Sequence, residues 1–184
     1  KKLETYNSVW QDAVDITNYS SVKNLISQVK PDYIYFLAAY HHSSTDDSAL
    51  NYELINSSFE INVNAYINFL FSIKEYSPKT KIFYASSCHI FGNPKNQYQN
   101  EKTEMKPESI YAITKMNGLL ISNFFRKNHG IFSSVGILYN HESSLRKSNF
   151  VSKKIVNNAV RIKKGLDKKL FLGDIDVMVD WGYA

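Results

Sequence analysis

The amino-acid sequence predicts an α/β protein built on a Rossmann-like, doubly wound parallel sheet that is incomplete. Apolar runs typical of strands alternate with amphipathic stretches at helical spacing, and no repeat or low-complexity tract interrupts them. The order helix, strand, helix, strand, helix, strand, helix favours parallel strands joined by crossover helices. Ligands bind such sheets beyond the carboxyl ends of the strands, so we expect the reactive side chains after Phe36, Tyr84 and Leu138.

The first half of the chain contains two predicted helices and two predicted strands. Residues 20–29 carry apolar side chains at helical spacing, and Pro31 ends that helix. The run YIYFLAA at residues 33–39 predicts a strand that is buried on both faces. A long amphipathic helix is predicted at about residues 52–76, and residues 81–86 predict the next strand.

The second half continues the same alternation. A helix is predicted at about residues 109–126, a strand at residues 132–139 and a further helix at residues 149–164. The short apolar run at residues 170–172 indicates the start of a fourth strand.

Charge and composition exclude several classes of protein. The net charge is +5, with a modest lysine excess between Arg146 and Lys169, but no basic-aromatic repeat accompanies it. A solvated lysine-rich surface is therefore the preferred interpretation, although a phosphate-bearing small ligand would use some of that charge equally well, and no nucleic-acid partner is expected. No apolar run approaches the roughly 20 residues that span a bilayer, and the first residues lack the apolar core of a signal peptide. The single cysteine, Cys88, excludes an internal disulfide and favours a cytoplasmic location.

Reactive side chains follow the second predicted strand. Ser86 and Ser87 end the strand, and Tyr111 and Lys115 open the next helix, where a spacing of four puts them on one face. An ammonium group near a phenol favours the phenolate, which makes tyrosine a usable acid or base near neutral pH. Many surface helices carry this spacing by chance, so the pair gains meaning only from the serines before it.

This order, a strand ending in Ser-Ser and then Tyr-x-x-x-Lys, resembles the short-chain dehydrogenases. Further segments are similar to the extended branch of that family. The pair Asp15-Ile16 resembles the acidic dipeptide that contacts adenine, and Leu37-Ala38-Ala39 resembles the segment that lies along the cofactor. The stretch at residues 62–65 (NVNA) resembles the Asn-Val-x-Gly segment of the same branch.

The downstream segments resemble one family in particular, the GDP-mannose 4,6-dehydratases. Residues 138–143 (LYNHES) look like the Asn-His-Glu-Ser segment of that family, and residues 149–155, 172–174 and 180–182 continue the resemblance in register. The resemblance covers essentially all 184 residues, but only the middle part of a family member. It implies a partial dinucleotide-binding domain over residues 1–184, with the start of the substrate-binding region at about 141–184.

The resemblance implies a reaction and a role for each matching residue. In that family NADP takes a hydride from sugar C4, water leaves across C5 and C6, and the hydride returns to C6. By position, Ser87 matches the catalytic threonine, Tyr111 the base and Lys115 its partner and ribose ligand. The residues His141 and Arg146 fall where the family contacts NADP, and Asn140 and Lys154 fall where it holds the nucleotide sugar. NAD is the alternative cofactor, and the resemblance suggests a homo-oligomer.

The chain departs from the family at His89, which occupies the position of the glutamate that handles C5 deprotonation and water loss. A neutral imidazole acts as a base and an imidazolium as an acid, so elimination through His89 is one interpretation. The other is a histidine that only packs or hydrogen-bonds at the pocket wall. In that case the enzyme is a C4 dehydrogenase, reductase or epimerase without elimination.

Other chemistry is less favoured by the sequence. A nucleophile pair of Cys88 and His89 is conceivable, but neighbours at a strand end usually point to opposite sides. The histidine pair at residues 41–42 and His129 do not combine with His89 or His141 into the spacing of a metal site. The preferred interpretation is that they are polar histidines in loops. We therefore predict no metal.

The distribution of glycine bears on the cofactor site. There are 7 glycines and none precedes Gly92, so the chain has no G-x-x-G-x-x-G turn to cradle a pyrophosphate before that point. We expect that the family's first strand and its glycine-rich turn are absent, that this fragment alone is inactive, and that its full-length parent is an enzyme. The alternative is an inactive remnant or a non-catalytic assembly subunit.

Overall fold

A computed structural model of the chain describes residues 14–41, 51–94, 98–146, 148 and 150–183. These residues form two compact units, one containing residues 14–41 and 51–137 and the other containing residues 138–183. Across the described ranges, no helix is both long enough and apolar enough to cross a lipid bilayer.

The first unit alternates helices and strands as the sequence predicts. Its elements are α1 (Tyr19–Val29), β1 (Tyr33–Phe36), α2 (Tyr52–Phe59), a π-helical turn (Glu60–Asn64), α3 (Ala65–Tyr76), β2 (Lys81–Ser87), a 3₁₀ turn (Cys88–Phe91), α4 (Ile110–His129) and β3 (Ser133–Leu138), which ends at the boundary of the two units. The helix predicted at residues 52–76 is therefore one helical stretch with a π turn inside it.

Local sequence explains where the helices begin and end. The Asn18 side chain accepts a hydrogen bond from the Ser21 backbone N–H at 3.0 Å, and Ser109 caps α4 in the same way through the Ala112 N–H at 3.2 Å. At the carboxyl ends, Lys30 and Gly130 adopt left-handed backbone conformations that stop α1 and α4.

The three strands form one sheet in the order β1, β2, β3, with β1 parallel to β2 from Tyr33 opposite Lys81 to Phe36 opposite Tyr84. Under this sheet, Tyr66 of α3 packs against Phe36 and Tyr84 with ring centroids 5.2 and 4.4 Å apart. These aromatic rings are buried in the core and hold α3 against β1 and β2.

The prediction that residues 33–39 form a strand buried on both faces is wrong. The strand ends at Phe36, and its alternate residues Tyr33 and Tyr35 are 62% and 69% exposed. The reason is the twofold alternation of a strand, which turns Ile34 and Phe36 toward the core and the tyrosines to the other face. Among the described residues that other face is largely uncovered.

The second unit contains β4 (Asn140–Glu142), α5 (Val151–Lys163) and β5 (Trp181–Tyr183). Strand β5 pairs in parallel with β4, and Asn140 lies opposite Trp181. The predicted strand at residues 170–172 is wrong, because that segment has no regular structure and Phe171 is exposed. An apolar run of three residues becomes a strand only where a partner edge is available, and here Trp181–Tyr183 occupies the edge of β4.

Candidate active site

The site begins at the carboxyl end of β2, where two buried serines follow each other. The Ser87 hydroxyl oxygen accepts a hydrogen bond from the His89 backbone N–H at 3.3 Å and so caps the 3₁₀ turn. The neighbouring Ser86 hydroxyl donates to the Lys115 carbonyl oxygen at 3.2 Å. The strand end is thereby tied to α4, which carries the tyrosine and lysine of the predicted site.

The Lys115 side chain runs into the protein and is only 2% exposed. Its Nζ donates a hydrogen bond to the Ala85 carbonyl oxygen at 2.9 Å and lies 5.1 and 5.7 Å from the ring centroids of Tyr84 and Tyr111. Burial disfavours the charged form and lowers the Lys115 pKa from its ordinary 10.5 to about 8. The ammonium therefore lies close to the phenol, as the spacing of four predicts.

The half-buried Tyr111 lies in the first turn of α4, and two imidazoles lie beside its ring. The ring centroid of His41 is 4.6 Å from that of Tyr111, and the His89 centroid is 6.0 Å away. Both imidazole planes stand nearly perpendicular to the phenol ring, at 82° and 83°. Both histidines are exposed, so a ligand beside Tyr111 can reach them.

A buried asparagine organises this region; it opens the segment at residues 62–65 that resembles Asn-Val-x-Gly, to which the sequence interpretation assigned no role. The Asn62 side chain, in the π turn, accepts from the Tyr40 backbone N–H at 2.7 Å and donates to the Tyr40 carbonyl oxygen at 3.1 Å. It also donates to the Thr114 hydroxyl at 2.9 Å. Asn62 thus fixes the chain beyond β1 against α4. The resemblance of residues 62–65 to the Asn-Val-x-Gly segment marked this asparagine in the sequence but did not predict its contacts.

The two segments predicted to contact the cofactor near the start of the chain lie apart from this cluster in sequence and keep their roles as predictions. The Asp15 carboxylate accepts hydrogen bonds from the Thr17 hydroxyl and backbone N–H at 2.6 and 2.9 Å, which lower the Asp15 pKa. Ile16 packs against the core. In the segment after β1, Leu37 and Ala39 are exposed and Ala38 is half-buried.

In the second unit, two of the predicted ligand contacts lie on β4. Asn140 and His141 border an open depression of about 400 Å³ that Asp180 and Tyr183 also line. The Nδ1 atom of His141 is 2.9 Å from the Tyr139 carbonyl oxygen. Assignment of Asn140 to the substrate and of His141 to the cofactor remains a prediction.

The other two predicted contacts are Arg146, whose side chain lies against its neighbours, and Lys154. The Arg146 guanidinium lies 3.7 Å from the Phe150 ring centroid, and its Nε is 3.2 Å from a Glu142 carboxylate oxygen. The Ser152 hydroxyl donates to the same carboxylate at 2.6 Å. Lys154 is half-buried in α5. The predicted roles of Arg146 with the cofactor and of Lys154 with the substrate are untested by these contacts.

The structure thus brings Ser87, His89, Tyr111 and Lys115 together in the first unit and adds His41 to them. His129 does not join them, because its ring packs on Phe124 and Phe125 at the far end of α4. Within the part of the chain that is described, no three histidine, cysteine, aspartate or glutamate side chains are grouped as a metal site would require.

Comparison with known proteins gives consistent matches. The family model described as GDP-mannose 4,6 dehydratase matches residues 3–184. The GDP-mannose 4,6-dehydratase of Vibrio cholerae serotype O1 is 34% identical over 171 residues, which is 92% of this chain and 45% of that protein. The chain therefore spans a little less than half the length of this relative.

Solved structures share the fold. RMD from Pseudomonas aeruginosa, complexed with NADPH, superposes with a TM-score of 0.80 at 23% identity, over 91% of this chain and 55% of that one. A dTDP-glucose 4,6-dehydratase from Bacillus anthracis, in complex with NAD, gives 0.73 at 21% identity, over 90% of this chain and 48% of that one. The predicted Rossmann-like parallel fold is confirmed.

Proposed function

Because the chain belongs to the GDP-mannose 4,6 dehydratase family, we propose that the complete protein carrying it is a hydro-lyase that removes water from a GDP-linked hexose, of the GDP-mannose type. The observation that carries the proposal is the cluster at the end of β2. There Ser87 lies beside His89, which contacts Tyr111, and the Lys115 ammonium lies 5.7 Å from the Tyr111 ring centroid.

The first step is oxidation at C4, and the protein's part is to handle the proton. The Tyr111 phenol oxygen, as the phenolate, takes the proton of the C4 hydroxyl. The Ser87 hydroxyl binds the same oxygen and orients it. The nearby Lys115 ammonium favours the phenolate over the phenol and so assists this proton transfer.

A bound nicotinamide cofactor would supply the hydride acceptor for C4. The residues present fit such a group, since an ammonium has three N–H donors and the Ala85 carbonyl oxygen accepts one bond from Lys115. The remaining donors suit ribose hydroxyls. We propose NADP, with NAD as the alternative, and we assign Asp15, Ile16 and residues 37–39, as well as His141 and Arg146, to its binding.

The second step is elimination, which needs a base for the C5 proton. A C4 ketone acidifies that hydrogen, and His89 is the candidate because it is exposed and its ring lies 6.0 Å from that of Tyr111. A neutral imidazole is a suitable base near neutral pH. The hydroxyl leaving C6 requires a proton as well.

The replacement of a carboxylate by His89 also supports a second function. If His89 only borders the pocket, the same Ser87, Tyr111 and Lys115 oxidise or reduce C4 without loss of water, as in a nucleotide-sugar dehydrogenase, reductase or epimerase. A third alternative is a non-catalytic assembly subunit, which requires that the protein bind no dinucleotide.

Product mass distinguishes these functions. The complete protein is incubated with GDP-mannose and NADP, and the nucleotide-sugar product is weighed by mass spectrometry. Loss of one water supports the dehydratase, whereas a change of two hydrogens or an unchanged mass with an altered C4 configuration supports C4 redox chemistry. Cofactor titration followed by fluorescence tests the third alternative, which requires no binding.

Two matched variants of α4 test whether Tyr111 accepts the proton of the C4 hydroxyl. Tyr111→Phe removes the proton acceptor and keeps the ring, so we expect turnover to fall by about 10²-fold to 10⁴-fold. His129→Gln alters a histidine of the same helix outside the cluster and should leave turnover unchanged. Equal turnover by Tyr111→Phe and the unaltered protein would contradict the assignment of Tyr111.

We further propose a homo-oligomer and a cytoplasmic location. The oligomer is supported by an exposed aromatic group on α3 and α4, in which Phe71 and Phe124 are 41% and 54% exposed and both contact Phe125. A surface of this kind is typical of contacts between proteins. The cytoplasmic location is supported by the single cysteine, which fits a reducing compartment.

A further inference from the structure

The imidazole nearest to Tyr111 belongs to His41. Its ring centroid lies 4.6 Å from that of Tyr111, whereas the His89 centroid lies 6.0 Å away. Both imidazoles are exposed, so each has ring atoms facing solvent while its ring lies beside the phenol. Two imidazoles therefore lie beside the residue to which the proposed function assigns the C4 hydroxyl.

The position of His41 is fixed by the fold. His41 follows the carboxyl end of β1 and His89 follows the carboxyl end of β2, and these neighbouring parallel strands end at the same edge of the sheet. The residue before His41, Tyr40, is held at both its backbone N–H and its carbonyl oxygen by the fully buried Asn62. An exposed side chain on a clamped backbone is a suitable position for a group that must meet a ligand reproducibly.

We propose that His41 is a second proton-handling residue of the site, acting as the acid for the hydroxyl that leaves C6 while His89 acts as the base at C5. The inference rests on the proposed function. The C5–H bond breaks, its proton goes to His89, and its electron pair forms the C5–C6 double bond. The C6–O bond breaks, and the oxygen leaves as water with a proton from the His41 imidazolium. When hydride returns to C6, C5 takes back the proton that His89 holds. Solvent returns a proton to His41 and removes the one that Tyr111 took.

Single-turnover absorbance of the reduced nicotinamide separates the two steps. The complete protein is mixed with NADP and GDP-mannose, and the signal should rise on C4 oxidation and decay when the hydride returns to C6. In His41→Gln we expect the rise to persist and the dehydrated product to form about 10²-fold to 10⁴-fold more slowly. His41→Phe, which keeps a ring against Tyr111, should behave like His41→Gln, and His129→Gln should match the unaltered protein.

The outcomes of this experiment distinguish failure of the inference about His41 from failure of the proposed function. A decay in His41→Gln as fast as in the unaltered protein overturns this inference alone, and so does full recovery in His41→Phe, because the ring would then serve only for packing. Absence of any nicotinamide reduction by the unaltered protein with GDP-mannose overturns the proposed function, and this inference with it.

A measurement without cofactor checks that His41 meets the ligand. In the complete protein labelled with ¹⁵N-histidine, the ring signal lost in His41→Gln identifies His41. Addition of GDP-mannose should shift this signal and that of His89, whereas the His129 signal stays in place. An unmoved His41 signal at saturating GDP-mannose overturns the inference whatever the activity.

Discussion

At the scale of the residue, Lys115 shows how burial changes the chemistry of a motif. A spacing of four predicts that Lys115 and Tyr111 share a helix face, and the structure confirms that the two are close. Spacing does not predict that the ammonium is 2% exposed, because the helix face that β2 covers is decided by tertiary packing. Desolvation is what brings the Lys115 pKa down to about 8.

This lowered pKa predicts a pH dependence of stability. The folded protein releases the Lys115 proton near pH 8 and the unfolded chain near 10.5, so the unfolded chain binds more protons between those values. The free energy of unfolding should therefore rise with pH in that window, by up to about 3 kcal/mol relative to Lys115→Met. Urea unfolding of both proteins between pH 7 and pH 10 measures the difference.

The exposed lysine of the same helix provides the control for this experiment. Lys127→Met removes a lysine charge at an exposed position of that helix and is measured over the same pH range. A pH-independent difference between Lys115→Met and the unaltered protein would contradict the burial of the Lys115 charge.

The sequence indicated the proximity of some residues of the site but not of His41, for a physical reason. Ser87, Tyr111 and Lys115 belong to one strand–loop–helix segment, so their order in sequence indicates their proximity. His41 looks like a polar loop histidine, because its approach to Tyr111 depends on Asn62 holding Tyr40 across 22 positions of sequence. No local pattern predicts such a contact.

At the scale of the element, the helical stretch after residue 51 contains a π turn that its hydrophobic pattern did not predict. The turn places the Asn62 side chain on Tyr40 and Thr114 and leaves the Asn62 carbonyl oxygen to accept from the Tyr84 hydroxyl at 3.1 Å. Single π turns in α-helices are frequent at functional sites. Here the turn joins α4, β2 and the segment after β1.

Removing this amide should cost stability. In Asn62→Ala the Tyr40 N–H and carbonyl groups lose their partner, and an unsatisfied buried group costs about 1–3 kcal/mol. We expect a loss of about 2–4 kcal/mol in the free energy of unfolding, measured by urea titration. Asn64→Ala, at the exposed asparagine of the same turn, should change it by less than about 0.5 kcal/mol. An equal loss of unfolding free energy in the two variants would contradict the stabilising role of the Asn62 side chain.

The close packing of α4 against β2 depends on Gly118. A Cβ atom added at Gly118 would overlap the buried ring of Tyr84, whose hydroxyl donates to the Asn62 carbonyl oxygen. Alanine raises helix propensity by about 1 kcal/mol, so propensity alone predicts that Gly118→Ala stabilises the protein.

We expect the reverse, because overpacking forces the Tyr84 ring to move. Gly118→Ala should lower the free energy of unfolding by about 1–3 kcal/mol in thermal or urea unfolding. Gly173→Ala, at a glycine with open space around it, is the matched control and should be near neutral. A gain of stability in Gly118→Ala would contradict the close packing of the two elements.

Two strand predictions failed because a strand depends on its partners. The run at residues 33–39 is apolar enough for burial on both faces, but only the face with Ile34 and Phe36 packs on the core. Residues 170–172 are apolar as well, yet β5 at Trp181–Tyr183 pairs with β4 instead. The helices were predicted closely because their periodicity and caps are local.

At the scale of the whole molecule, the family match extends over nearly the full chain while the chain spans 45% of its Vibrio relative. Tests of turnover therefore belong to the complete protein, whereas tests of packing and charge apply to the residues described here. The expectation that this chain alone is inactive remains a prediction that a direct assay of the 184 residues decides.

The aromatic surface on α3 and α4 allows a test of the proposed homo-oligomer. Replacing Phe71 and Phe124 by glutamate in one variant puts two carboxylates into the proposed contact, where burial of unpaired charge is unfavourable. We expect sedimentation velocity to show a smaller particle with an unchanged circular dichroism spectrum. Tyr98→Glu, at a residue that is 83% exposed elsewhere on the first unit, should leave the mass unchanged. An intact oligomer in the double variant would contradict this interface.

The position of Cys88 makes occupancy of the site directly observable. The chain has one thiol, and it lies half-buried between Ser87 and His89. Labelling by a thiol-reactive fluorophore that disappears in Cys88→Ser is therefore labelling at the end of β2. Bound nucleotide sugar should slow this labelling several-fold, with GDP alone as the comparison, so stopped-flow labelling rates report a dissociation constant. Labelling at the same rate with and without the sugar would place the ligand away from the end of β2.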